Sequence, residues 1–121
     1  MTGEEILGNV MDRWRAGIDA HDPQLVAAAF SEDAVFQGLR PYTVGRPGIA
    51  AYYDSQPFGM TVTYRIRETR RPTTDVVLGY LLATFAFRDR PTLDLHLGVA
   101  LADGVDGWQV TQYQASRLDP S

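Results

Sequence analysis

From Met60 onward the chain changes its period. Apolar residues that earlier recur every three or four positions now alternate, and residues 60 to 71, 75 to 88, 92 to 102 and 108 to 117 read as four long strands. The links between them are Pro72-Thr73-Thr74, Asp89-Arg90-Pro91 and Asp103-Gly104-Val105-Asp106-Gly107. Parallel neighbours need a long crossover, so links this short dictate antiparallel hairpins.

The part before the switch is helical. Thr2 and Glu5 have the spacing of a capping box, and Ile6, Val10, Trp14 and Ile18 then recur every four residues. One amphipathic helix over about residues 3 to 20 is expected. Asp22 suits an N-cap and Pro23 a first helical position, giving a short helix over Pro23 to Phe30. Ala34-Val35-Phe36 reads as a short strand and Gly38 to Gly45 as a loop able to act as a lid. A third short helix starts at Pro47 and stops before Pro57. Helices first and a meander afterwards is an α+β pattern. A long twisted sheet with helices gathered on one face must curl into a cone. The open end of that cone is a natural cavity for a small molecule.

At 121 residues the chain fits one domain, residues 1 to 121. The net charge of −4 argues against a general nucleic-acid binder, and the absence of cysteine excludes disulfides, thiolate metal sites and cysteine nucleophiles. The opening MTGEEIL has no basic region or long apolar run, so neither a membrane anchor nor a secretory signal is expected, and a cytoplasmic location is. No Gly-rich phosphate loop or nucleophile elbow is present, and no cofactor is expected.

Three stretches carry a resemblance to the nuclear-transport-factor-two-like superfamily, the cystatin-like α+β cone. They are the Trp-containing first helix with HDPQLVAAAFSEDAVF, then VGRPGIAAYY, and finally GWQVTQYQASR. The last resembles the endings of SgcJ/EcaC and SnoaL-like polyketide proteins and of the calmodulin-dependent kinase association domain. The resemblance implies a conical, strongly curved, mostly antiparallel sheet wrapped around three N-terminal helices, with a pocket at the open end and often a homodimer. Its members include isomerases, cyclases, dehydratases and non-catalytic assembly domains, so function must come from the site. Where the subgroup usually carries two histidines on the last strand, this chain has Gln112 and Gln114. Glutamine orients a carbonyl or hydroxyl but exchanges no proton near neutral pH.

Candidate site residues follow from strand and helix parity. On the last strand Trp108, Val110, Gln112, Gln114 and Ser116 share one face, and Gln109, Thr111, Tyr113, Ala115 and Arg117 share the other. The first face is expected to be the back wall of the pocket, with Trp108 in the closed end and Gln112 and Gln114 holding substrate near the open one. Trp14, Phe30, Phe36, Tyr53 and Tyr64 are expected to line an aromatic cavity. Tyr52 and Tyr53 are adjacent, so only one of them should face it.

Asp94 and His96, two apart, are the only tight carboxylate–imidazole pair and the candidate acid–base couple. The alternation of Leu93, Leu95, Leu97, Val99 and Leu101 favours the other outcome, in which the pair points outward. Asp33 is a third catalytic candidate, and a plain loop acid is its favoured reading. No metal site is expected. The four arginines of RIRETRR, residues 65 to 71, read as charge protecting a strand edge, with docking of an acyl carrier protein the alternative.

Together these readings anticipate a protein binding a hydrophobic or aromatic small molecule. As an enzyme it would be a cofactor-independent cyclase, isomerase or dehydratase of polyketide-type secondary metabolism, such as enediyne or aromatic polyketide tailoring. A non-catalytic carrier and a dimerisation scaffold are the alternatives.

Overall fold

A computed structural model describes residues 1–118. Helix α1 (Gly3–Asp19) starts on the anticipated capping box: the Thr2 hydroxyl accepts from the Glu5 amide at 3.1 Å, and the Thr2 amide donates to Glu5 at 2.9 Å. Its buried stripe is Ile6, Leu7, Val10, Met11, Trp14 and Ile18. Burying each large apolar side chain contributes roughly 1.5–3 kcal/mol, so this stripe anchors the helix to the sheet. Helix α2 (Pro23–Ala28) is capped by Asp22, whose carboxylate accepts from the Leu25 amide at 3.1 Å. It sits tightly under α1 at Gly17, where a Cβ would stand 2.6 Å from the Val26 backbone nitrogen. Only glycine permits that approach.

Strand β1 (Phe30–Gln37), the two-residue β2 (Thr43–Val44) and helix α3 (Arg46–Asp54) follow. Then come the four long strands: β3 (Thr61–Thr73), β4 (Val76–Ala86), β5 (Leu93–Gly104) and β6 (Gly107–Arg117). The sheet order is β2-β1-β6-β5-β4-β3. Every neighbouring pair is antiparallel except β1 and β6, which run parallel. The result is the anticipated α+β architecture, a curved, mostly antiparallel sheet around the helices. It does not close on itself, and β2 and β3 form its edges.

Strand ends shift by one to two residues, and the expected loop Gly38 to Gly45 contains the short strand β2, which Val35 and Phe36 of β1 pair with; the larger departure lies before it. The second helix stops at Ala28, and the first strand begins at Phe30 rather than Ala34. The reason is a distant partner, since Phe30 pairs with Val110 of β6 and the Val110 amide donates to the Ala29 carbonyl at 2.9 Å. Between Phe30 and Val35 the register slips, which bulges Ser31 to Ala34 out of the pairing.

A second irregularity matters more. On β5 the step from Ala100 to Leu101 is matched on β6 by a step from Gln112 to Val110, so Thr111 is an extra residue. A β-bulge of one residue reverses the parity of everything beyond it. Val110 faces the helices and is fully buried, and after the bulge Tyr113 and Ala115 are buried on the same side. Gln112, Gln114 and Ser116 are turned to the opposite face.

Candidate functional site: an aromatic cavity at the open end

One end of the sheet gathers the C-terminal halves of β1, β4 and β6 with the start of β5. Helix α3 and the loops after β1 and β4 complete the ring. They enclose a cavity of about 430 Å³. Its walls include Met60, Phe85, Phe87, Leu93, Leu95 and Ala115. Both Tyr52 and Tyr53 line it together with Tyr113. The expectation that only one of the adjacent tyrosines could do so fails because Tyr52 leans over the backbone of Gly38. A Cβ there would meet the Tyr52 hydroxyl at 2.7 Å. The two tyrosine rings stand nearly perpendicular, with centroids 5.0 Å apart.

The floor is a stack of aromatic rings held from behind. Phe36 stacks on Tyr113 at 4.6 Å with planes 14° apart, and Phe30 and Trp14 bracket the same tyrosine. Trp14 is fully buried, and its indole N–H donates to the Tyr53 hydroxyl at 3.0 Å. The phenols of Tyr53 and Tyr113 are close enough to perturb one another. Burial pushes the pKa of both well above the ordinary phenol value, chiefly because an ionised phenolate would be desolvated there. Tyr52 is raised for the same reason, less a small opposing effect of the nearby Leu39 backbone and Arg40 charge. All three are therefore neutral hydrogen-bond donors at physiological pH.

Trp14 consumes an acceptor site on Tyr53 but none of the phenol protons. Tyr53 and Tyr113 hold two O–H protons, and at most one can be spent between them. At least one phenol proton is left for an oxygen in the cavity. Among the described lining residues there is no Asp, Glu or His. The site can polarise a carbonyl or donate to a hydroxyl, and its described side chains include no carboxylate or imidazole base.

Of the residues expected to bind substrate, Tyr53 lines this cavity. Trp14, Phe30 and Phe36 are fully buried behind its floor and support the tyrosines rather than touching the space. Tyr64 is drawn away to α1, where its hydroxyl donates to Asp12 at 2.6 Å and lies 3.2 Å from the Gly8 carbonyl. Burial raises its pKa above the ordinary value, and the bond to Asp12 and that carboxylate's charge raise it further. Trp108 is half-exposed beneath Arg71, whose guanidinium lies 5.8 Å from its ring, and it is not part of the lining.

Gln112 and Gln114 lie on the outer face of the sheet, where they border a shallow depression with Leu78, Tyr80 and Ser116. The expected back wall is thus displaced by the Thr111 bulge, and Tyr113, Ala115 and Arg117 take its place. Gln114→Ala should accordingly leave the affinity for a cavity ligand unchanged within about twofold, measured by titration calorimetry. A severalfold loss would put the glutamine back in the site.

The three acid–base candidates are also elsewhere. Asp94 and His96 occupy the outer face, as the leucine alternation favoured. Asp94 accepts from the Thr84 hydroxyl at 2.7 Å, and His96 packs beside Tyr80 with ring centroids 5.0 Å apart. Asp33 is exposed in the β1 bulge and accepts from Ser31 at 3.2 Å. The arginine-rich stretch forms edge strand β3. Arg71 there donates to the Met1 and Thr74 carbonyls, and Arg70 pairs with Glu68 at 3.0 Å.

Tyr113, Phe85, Phe87 and Met60 join the lining without being among the residues expected there. A signal for Tyr113 was present. In GWQVTQYQASR the apolar residues fall at 108 and 110, then at 113 and 115, and that jump in parity is how a bulge is written in sequence.

No protein-family model matches the sequence, and none of the curated proteins matches it. Among solved structures the architecture is widespread. A domain of unknown function with a cystatin-like fold from Nostoc punctiforme superposes with a TM-score of 0.83 at 20% identity, over 94% of this chain and 76% of that one. A ketosteroid isomerase-like protein from Erwinia carotovora atroseptica gives 0.75 at 20% identity, over 96% of each chain. An NTF2-like protein with a cystatin-like fold from Novosphingobium aromaticivorans gives 0.80 at 15% identity, over 98% of this chain and 83% of that one. Identities this low speak to architecture alone, and on architecture they agree: the chain has a cystatin-like fold.

Proposed function

We propose that this protein binds a flat, largely apolar small molecule that carries a carbonyl or hydroxyl oxygen, of the kind found in aromatic polyketides. The observation that carries the reading is the Tyr53–Tyr113 floor, braced from behind by Trp14. It is a set of neutral donors with a spare proton, facing an aromatic-walled cavity of about 430 Å³. That volume lies within the range of small-molecule sites. Neutral phenols aimed at an oxygen supply the electrophilic half of an isomerisation, cyclisation or dehydration. The base such a reaction needs would come from the substrate, from water or from a group beyond the described lining, so binding with carbonyl polarisation is the primary reading. Tailoring catalysis is the extension of it. We place the protein in the cytoplasm as a homodimer. The outer sheet face supports the second copy, because Leu78 and Tyr80 are about two-fifths exposed there beside His96 and Gln114.

Two probes of equal shape test the reading. Acetylnaphthalene carries a carbonyl oxygen that ethylnaphthalene lacks. Calorimetry should show the ketone binding about tenfold more tightly, the effect of one well-placed hydrogen bond in a dry site. Equal affinities would show that the phenols do not read an oxygen. No binding of either would remove the cavity as a ligand site.

A further inference from the structure

The cavity's floor and its mouth have different characters. Three arginines line the mouth, each delivered by a separate element: Arg40 by the loop after β1, Arg90 by the β4–β5 turn, and Arg117 by the end of β6. Among the described residues the one carboxylate in an ion pair with them is Asp89, 3.2 Å from Arg90, and it is not part of the lining. This concentration of positive charge stands on a chain whose net charge is −4.

Their placement follows from the fold. Arg117 has the inward parity of Tyr113 and Ala115, so the Thr111 bulge that aims the tyrosine at the floor also sends this arginine to the rim. Arg40 is near enough to Tyr52 for its charge to act on the phenol. Arg90 lies over the face of Phe87, with 5.2 Å from guanidinium carbon to ring centroid, and Phe87 is itself a wall residue. Asp89 engages Arg90 at Nε, 3.2 Å away, and the terminal nitrogens of that guanidinium make no hydrogen bond to a described residue.

Resting on the pocket reading above, we infer that the ligand is an organic acid. Its carboxylate lies among Arg40, Arg90 and Arg117, its planar body lies between the aromatic walls, and its carbonyl or hydroxyl oxygen meets the phenols of Tyr53 and Tyr113. A single exposed ion pair contributes little to affinity. Three cations around one anion, at the mouth of a concave, aromatic-walled cavity, act together. Guanidinium groups also match a carboxylate in two-point geometry.

The test compares acetylnaphthoic acid with its methyl ester by calorimetry at pH 7 and low salt. The acid should bind about tenfold more tightly, and about 0.5 M salt should erase most of that preference. In the triple variant Arg40→Gln/Arg90→Gln/Arg117→Gln the preference should fall to within about twofold. The triple variant Arg65→Gln/Arg67→Gln/Arg70→Gln removes the same charge from β3, away from the mouth, and should keep the preference. Equal binding of acid and ester by the unmodified protein would overturn the inference. So would equal loss of preference in both triple variants, which would assign it to net charge. The ester separates the two readings. If it binds and the acid binds no better, the cavity reading stands and the organic-acid inference falls. If neither binds, both fall.

Discussion

Replacing Trp14 with alanine should cost the fold roughly 3–5 kcal/mol, the largest effect of any single substitution considered for this chain. The indole is fully buried and meets Phe85 edge to face at 6.1 Å and Tyr113 at 6.1 Å. It also supplies the donor to Tyr53. Removing it opens a void behind the cavity floor and deprives a buried phenol oxygen of its partner, and these two losses add. Trp14→Phe separates the contributions. It keeps a ring in place and gives up the hydrogen bond, and should cost about 1–2 kcal/mol beyond its change in volume. Urea unfolding should show a lower midpoint for Trp14→Ala with little change in slope. A loss below about 1.5 kcal/mol would mean that Trp14 does not brace the floor.

The second large effect concerns binding. The double variant Tyr53→Phe/Tyr113→Phe should weaken acetylnaphthalene by roughly tenfold to a hundredfold, because it takes away the two phenols of the cavity floor. Ethylnaphthalene has no acceptor and should lose far less. The sign of the pH response follows from the raised phenol pKa values. A phenol donates only while protonated, so ketone affinity should stay level from about pH 6 to 9 and fall only as pH climbs past the ordinary phenol range. Stability should follow the same sign. A buried phenol with a raised pKa contributes fully below the unfolded value, and its contribution is lost at more alkaline pH. Affinity that rises with pH between 6 and 9 would point to a titrating base instead.

Much of the architecture was legible because it is written in local pattern. The capping box at Thr2, the stripe of α1 and the leucine alternation of β5 all lie where periodicity placed them. The alternation also turned Asp94 and His96 outward, against their appeal as an acid–base pair. What the sequence did not yield depends on partners far along the chain. Phe30 is a strand residue only because Val110 lies beside it. Thr111 bulges only against Ala100 and Leu101, and that one residue exchanges Gln112 and Gln114 for Tyr113 and Arg117. The aromatic set was recognised as a group, but its depth was not. Parity tells which face a side chain takes, and not whether it touches the cavity or stands one layer behind. Trp14, Phe30 and Phe36 are the layer behind, and Tyr53 and Tyr113 are the surface they present.

Ligand should enter the phenol-floored cavity and not the outer face of the sheet. Side-chain and amide NMR shifts followed during titration with acetylnaphthalene test it most directly. The largest shifts should fall at Tyr52, Tyr53, Tyr113, Phe85 and Ala115, with Gln112, Gln114, Asp94 and His96 unmoved. Shifts concentrated on those four outer-face residues, with the tyrosines silent, would contradict it.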